Sequence, residues 1–311
     1  MKEFIIKKSE EGQRLDRFLK RIMPEANDSF LCRMIRKKNI KVNDKGTEPG
    51  IHLNAGDDVK VYFSDETFEK FEGAASHIDI QSYKNAYRNL KGIIPEYEDD
   101  NMVIFYKPSG ILSQRSKKDE SSLNEYLIGY LLDNGSVDEI SLKSFRPSVL
   151  NRLDRNTDGL VICSKTIKGA EEISYLIRER KIKKFYKTIC KGRIDKAECL
   201  EGYLLKDEKT NTVKVFKNEQ PGASKIKTRI NPVSFYDDRT EIEVELITGK
   251  THQIRAHLAS IDHPILGDTK YGDMKFNRKY DTFIQKLTAY RIVFPDDSNI
   301  DDWRGLIVRI Q

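Results

Sequence analysis

Apolar residues recur at helical spacing near the start of the chain: Leu15, Phe18, Leu19 and Ile22 follow Gly12, and Pro24 ends the run. Phe30, Leu31, Met34 and Ile35 form a second stripe of the same period, so two short amphipathic helices are expected there. The period then changes to two. Asn39–Asn43 reads as a strand, turns follow at Asp44-Lys45-Gly46, Pro49-Gly50 and Ala55-Gly56-Asp57-Asp58, and Val59–Phe63 reads as a closing strand. Residues 1–63 thus form a compact helix-helix-strand-strand unit. Residues 64–92 are polar and mixed in charge around Gly73-Ala74-Ala75-Ser76, and read as a linker with room for one helix.

A second unit, 93–311, opens where Glu98-Asp99-Asp100-Asn101 gives way to the apolar strand Met102–Tyr106 and the turn Lys107-Pro108-Ser109-Gly110. Beyond it, strands are expected at Leu160–Cys163, Tyr186–Cys190, Thr212–Phe216, Glu241–Leu246 and Leu306–Ile310. Helices are expected across Gly169–Arg180 and Thr251–Ser260. The fold class is α+β, and a chain of 311 residues is long enough for two domains, one large enough to bury an enzyme site. No apolar run reaches the roughly 20 residues of a membrane span and the start lacks a secretory signal, so a cytoplasmic protein is expected. With no heptad or large apolar stripe, it is expected to be a monomer. The cysteines Cys32, Cys163, Cys190 and Cys199 show no CxxC spacing and read as free thiols.

The net charge of +6 is small against 55 basic and 49 acidic residues, but the distribution is uneven. Residues 14–45 are dense in arginine and lysine, opposed only by Asp16, Glu25, Asp28 and Asp44. Such a patch is the footprint of polyanion binding, although an ordinary solvated helix face has the same composition.

In the run 151–160, Asp154 lies between Arg152 and the turn dipeptide Asp158-Gly159, just ahead of a buried strand. A loop carboxylate held by a rigid element is where a catalytic side chain sits. The competing reading of a lone aspartate is a turn cap or a surface partner of Arg152 or Arg155.

Two sets of residues decide between these readings by resemblance. Arg14-Leu15-Asp16-Arg17-Phe18-Leu19, Met34-Ile35-Arg36-Lys37-Lys38, Ile40-Lys41-Val42-Asn43 and Ala55-Gly56-Asp57 resemble the S4-type RNA-binding domain. That resemblance implies that Arg33, Arg36, Lys37, Lys38 and Lys41 face structured RNA. Lys107-Pro108-Ser109-Gly110, Arg152-Leu153-Asp154-Arg155 with Thr157 and Gly159-Leu160, and residues 248–257 resemble the ribosomal large-subunit pseudouridine synthases, the RluA, RluC and RluD group. His263-Pro264-Ile265-Leu266-Gly267-Asp268 with Tyr271-Gly272 extends the match. The implied fold is a small S4-type domain followed by a mixed, largely antiparallel sheet with flanking helices. The implied activity is isomerisation of uridine to pseudouridine in RNA, without a metal or other cofactor and with ribosomal RNA as the partner; transfer RNA is the alternative target.

The same resemblance implies that Asp154 is the catalytic aspartate, that Arg152 displaces the target base, that Tyr186 is the active-site tyrosine and that Arg255 pairs with Asp154. The chemistry is consistent with these roles. Breaking the N1 glycosidic bond and joining C5 to the sugar calls for an anionic group beside the ribose, as nucleophile or as base at C2′. Arg255 suits an aspartate because it is always charged and can engage a carboxylate bidentately. Tyr186 offers a stacking face to a detached uracil, and Arg152 can fill the place of a base taken out of its stack. By position alone, Tyr186 reads as a core aromatic and Arg255 as a surface helix residue.

Three positions depart from the family pattern: Asn151 stands where histidine is common, Asp158 where serine is, and Lys250 where arginine is. Among rival readings, a metal site built on His252, His257 and His263 is disfavoured because side chains five apart diverge by about 140° on a helix. A glycosidase pair of Asp154 and Asp158 is weaker, since the turn explains Asp158. The remaining rival is a non-catalytic ribosome-assembly factor that only binds RNA.

Overall fold

The computed structural model describes residues 1–73, 78–117 and 119–310. Residues 74–76 of the linker turn lie outside these.

The chain begins with a strand that the apolar pattern does not announce, β1 (Lys2–Ile5), followed by α1 (Leu15–Ile22) and α2 (Asp28–Arg36). Helix α1 buries the stripe Leu15, Phe18, Leu19 and Ile22, while the Asn27 side chain caps α2 by accepting from the Phe30 N–H at 2.8 Å. Strands β2 (Ile40–Val42) and β3 (Asp58–Val61) complete a three-stranded antiparallel sheet in the order β1-β3-β2. β1 is a short edge strand that buries only Phe4 among its residues, too little alternation for a sequence signal.

The stretch that reads as a linker holds two helices, α3 (Asp65–Glu72) and α4 (Ile80–Asn89). Each is committed to a different core. Phe68 of α3 packs with Phe4, Phe18 and the other N-terminal core residues, whereas Tyr83 of α4 packs in the large core of the second unit. The two units also touch directly: Arg21 donates to the Ser144 carbonyl at 2.8 Å, and Lys143 pairs with Glu72 at 2.5 Å.

The second unit runs β4 (Ile94–Glu98), β5 (Met102–Lys107), α5 (Leu123–Asp133), α6 (Glu139–Ser144), β6 (Ser148–Val149), β7 (Asp158–Ser164), α7 (Ile167–Arg178) and β8 (Lys183–Lys191). It continues through β9 (Glu198–Asp207), β10 (Thr212–Phe216), β11 (Ser224–Tyr236), β12 (Arg239–Leu246), α8 (Gln253–Ala259), α9 (Met274–Lys279), β13 (Leu287–Val293) and β14 (Ile307–Arg309). The strands form one sheet of order β10-β9-β11-β12-β8-β13-β7-β5-β4, with β6 on β7 and β14 on β13. Among the named strands of the described residues, β13 and β7 alone pair in parallel. The sheet is therefore mixed and largely antiparallel, as expected.

Alternation along the central strands separates two cores. Val103, Phe105, Val161 and Cys163 face the layer formed by α5 and α8, while Met102, Ile104, Leu160 and Ile162 face α7 and Trp303. A strand buried on both faces reads as a continuous apolar run, which is why β5 and β7 stand out in the sequence. Helix α5 escapes the periodicity because it is apolar nearly all round; Gly129 on it lets α4 approach so closely that an added Cβ would lie 2.3 Å from the Tyr83 carbonyl oxygen.

Gly159 does the same for the sheet. Its φ is +115°, and a Cβ there would meet the Ala289 carbonyl oxygen of β13 at 2.2 Å. Replacing Gly159 with alanine is expected to destabilise the protein by roughly 2–4 kcal/mol, to be read as a lower urea midpoint with unchanged slope. A midpoint equal to that of the unsubstituted protein would remove this close approach as a constraint.

Candidate active site

Asp154 sits in the loop between β6 and β7, and this loop is fastened on both sides of the carboxylate. The Ser113 hydroxyl donates to the Leu153 carbonyl at 2.9 Å and accepts from the Leu153 N–H at 2.9 Å. Lys107, fully buried at the end of β5, donates to the carbonyls of Pro108 at 3.0 Å, Ile111 at 2.8 Å and Arg155 at 3.3 Å. Burial pulls its pKa down to about 8, against the opposing pull of Asp158 and Asp154. A further bond from the Gly110 N–H to the Arg155 carbonyl, 2.8 Å, ties the two loops together. The backbone around Asp154 is thus held by a lysine and a serine rather than by packing alone.

Helix α8 supplies the opposite wall. Arg255 directs one N–H, from Nη1, to Asp154 Oδ2 at 3.0 Å and gives its other edge to Asp268, with Nε at 2.7 Å and Nη2 at 2.9 Å. The side chain of Asp268 has no exposure, that of Arg255 9 %, and that of Asp154 25 %, so the arrangement opens to solvent only at Asp154. Burial works to raise the Asp268 carboxyl, but the Arg255 fork and the Tyr271 and Lys270 N–H groups outweigh it and hold it below the usual range. His252, at φ +53° just before α8, is anchored by a 2.9 Å bond between Nδ1 and the Tyr271 hydroxyl. Its Nε2 lies 3.9 Å from Asp154 Oδ2.

Tyr186 is buried on β8, where it pairs across with Val244 and Ala289. Burial first, and the charge of Asp154 second, raise its phenol above the ordinary value, so the hydroxyl keeps its proton at neutral pH. Arg152 is exposed beside the loop and makes no hydrogen bond or ion pair among the described residues, and Lys250 is also exposed. Arg255, which by position alone reads as a surface residue, is buried, and Asp154 and Tyr186 share its side of the sheet.

Two of the three departures from the family pattern, Asn151 and Asp158, have local explanations. Asn151 is buried and its side-chain oxygen accepts from the Ile162 N–H at 2.6 Å, so it braces β7. Asp158 accepts from Tyr106 at 3.1 Å and Thr288 at 2.7 Å, a tie between β5, β7 and β13. The three histidines turn to three partners: His252 to Tyr271, His257 to Thr228 at 3.0 Å and His263 to the Lys191 carbonyl at 2.8 Å. On the N-terminal unit, Arg33, Arg36, Lys37 and Lys38 are exposed, while Lys41 is half-buried over the Tyr62 ring at 5.1 Å. Among the described residues, none of these five forms an ion pair.

Sequence reasoning did not assign roles to Asp268, Lys107, Ser113, His252 or Tyr271. A signal existed for Lys107, a cation closing an otherwise apolar strand, and His252, Asp268 and Tyr271 lie in the motifs that carry the resemblance; Ser113 reaches the site only through tertiary structure.

The family model for RNA pseudouridylate synthase matches residues 101–260, a span that holds Asp154, Tyr186, His252 and Arg255 and ends before Asp268. The chain belongs to the RNA pseudouridine synthase family. It is therefore an enzyme that isomerises uridine to pseudouridine in RNA. A Vibrio parahaemolyticus protein named ribosomal large subunit pseudouridine synthase C is 31% identical, over 94% of this chain and 87% of its own. An uncharacterized RNA pseudouridine synthase of Mycoplasma genitalium is 30% identical, over 94% of this chain and 89% of its own. The solved structure of human RNA pseudouridylate synthase domain containing 4 shares the fold, with a TM-score of 0.57 at 20% identity over 75% of this chain and 93% of that one.

One buried histidine, His257, and one half-buried histidine, His252, give this synthase an acid limit. Burial lowers His257 from 6.5 to about 4 and also lowers His252. Both take up protons more readily when unfolded, so their contribution is complete above about pH 6.5 and falls away on acidification, that of His257 down to about pH 4. His257 alone is expected to contribute roughly 3 kcal/mol to this loss, measured as the urea midpoint between those pH values. His257→Gln is expected to flatten the curve; an unchanged slope would assign it to other groups.

Proposed function

We propose that Asp154 is the catalytic carboxylate of this pseudouridine synthase and that its target uridines lie in large-subunit ribosomal RNA. The observation that carries the first part is the one-sided contact with Arg255: the guanidinium supplies a counter-charge at 3.0 Å while the Asp154 side chain remains partly exposed. The second part rests on the similarity to the Vibrio parahaemolyticus ribosomal large subunit enzyme.

In the reaction the C1′–N1 bond of the target uridine breaks and a C1′–C5 bond forms. The C5 proton leaves to solvent and N1 gains one, so product and substrate are isomers. Asp154 acts at the sugar, as a nucleophile or as a base at C2′. Tyr186 supplies a neutral ring against which uracil can turn, and Arg152, free of other partners among the described residues, reaches into the stack from which the base is drawn. We read residues 1–63 as an S4-type RNA-binding unit and 93–311 as the catalytic unit, with α3 and α4 bridging them. Arg33, Arg36, Lys37, Lys38 and Lys41 then engage RNA phosphates, which the absence of ion-pair partners among the described residues supports.

Ribosomal RNA carrying tritium at uridine C5 tests the catalytic assignment in single turnover. The protein is expected to release tritium, and Asp154→Asn is expected to release none while RNA affinity stays within about threefold. Undiminished release by that variant would move catalysis to another group, and no release by the unsubstituted protein on any large-subunit transcript would reject the target.

Glutamine at Arg33, Arg36, Lys37, Lys38 and Lys41 tests the N-terminal surface without removing the strands that pack α3. The slope of log affinity against log salt is expected to shrink by about 0.7 to 0.9 for each phosphate that the variant no longer neutralises. An unchanged slope counts against this surface.

A further inference from the structure

Three cations lie on or beside the Asp154 side of the sheet, and the structure treats them differently. Arg255 is neutralised by two carboxylates and Lys107 is satisfied by three carbonyls. Lys184 is half-buried, and among the described residues it has neither a hydrogen bond nor an ion pair. Alternation along β8 puts it on the same face as Tyr186, two residues on, whereas Phe185 points the other way and stacks on Arg291 at 3.8 Å.

The Lys184 ammonium points to the turn that leads into α8. A Cβ placed on Gly249 would have Lys184 Nζ at 3.8 Å as its nearest neighbour. That turn is rigid, because the Gln253 side chain accepts from Thr248 Oγ1 at 2.9 Å and from the Lys250 N–H at 3.1 Å and donates to Thr228 at 2.9 Å. Its far end is His252, which lies against Asp154. The acid across from Phe185 on β12, Glu245, is already engaged by Arg229 at 2.5 Å. Lys184 is thus, among the described residues, a cation without an anion, fixed at one end of a short turn whose other end touches the reacting carboxylate.

Burying an unpaired charge costs stability and persists where a ligand supplies the missing partner. Burial alone lowers the pKa of this lysine, with no carboxylate opposing it. Lys250, the next residue after Gly249, and Arg152, two before Asp154, are exposed cations, so the missing partner is taken to be an anionic ligand. A lysine is a compact point charge suited to a phosphate oxygen. We propose that Lys184 is a substrate-positioning residue that takes a phosphodiester of the RNA strand beside the target uridine. This rests on the reading of Asp154 as the reacting group.

The test uses full-length protein carrying Asp154→Asn, with an unmodified large-subunit ribosomal RNA transcript as the probe, so binding is read without turnover. Adding Lys184→Met is expected to weaken affinity by about tenfold to a hundredfold and to shrink the salt slope by about 0.7 to 0.9. Lys184→Arg is expected to restore the slope. The Met variant is also expected to melt no lower than its parent, because it removes an uncompensated charge. A salt slope unchanged by Lys184→Met overturns the proposal whatever the melting temperature, since a purely structural lysine would leave it untouched. Undiminished tritium release by Asp154→Asn alone would reject the catalytic reading instead, and the two results are separable.

Discussion

The Arg255 guanidinium, shared between two carboxylates of unequal burial, is the interaction around which the site is organised. Asp268 is completely enclosed and takes two of its N–H groups, so the arginine is oriented before Asp154 is considered. Breaking such a buried pair costs about 3–5 kcal/mol, which makes this orientation obligatory. With the fork spent on Asp268, a single N–H remains for Asp154 Oδ2, and Oδ1 has no hydrogen bond among the described residues. Had Asp154 received the bidentate face, both oxygens would be occupied by the ion pair. The division of labour leaves one carboxylate as anchor and the other available for chemistry.

That arrangement depends on two parts of the chain meeting within an ångström or so, and the sheet provides for it. The loop bearing Asp154 precedes β7, and β7 is drawn against β13 at Gly159, where no side chain fits. Lys107 and Ser113 fasten the loop by its backbone rather than by its side chains, so Asp154 itself stays unencumbered. From the other side, Gln253 shapes the turn into α8 and Tyr271 anchors the His252 ring. Preorganisation of this kind leaves little for substrate binding to rearrange.

Charge is distributed in keeping with a polyanionic substrate. The anions near the centre are held internally, Asp268 by the Arg255 guanidinium and Asp158 by two hydroxyl donors, while Arg152, Lys250 and the cations of α2 are exposed. The basic unit in front is joined to the unit of the large sheet through Arg21 and Lys143.

The sequence by itself determined the elements whose periodicity is strong: α1, α2, the doubly buried strands β5 and β7, and the ordered motifs that carry Asp154, Tyr186 and Arg255. Those signals are local, because burial on one face or on both is written into the spacing of apolar residues. It did not show β1, whose edge position needs few apolar residues, nor α5, whose all-round burial erases the amphipathic stripe, nor the split allegiance of α3 and α4. Only tertiary structure decided which carboxylate anchors Arg255, since Asp154 and Asp268 are both aspartates near glycine-containing turns, and the enclosure of Asp268 and its hold on the Arg255 fork come from the fold. It likewise decided that Asn151 braces a strand and that Lys184 lacks an anion among the described residues. Burial, pairing and the direction of a side chain's last few atoms come from residues distant in sequence, and no local pattern encodes them.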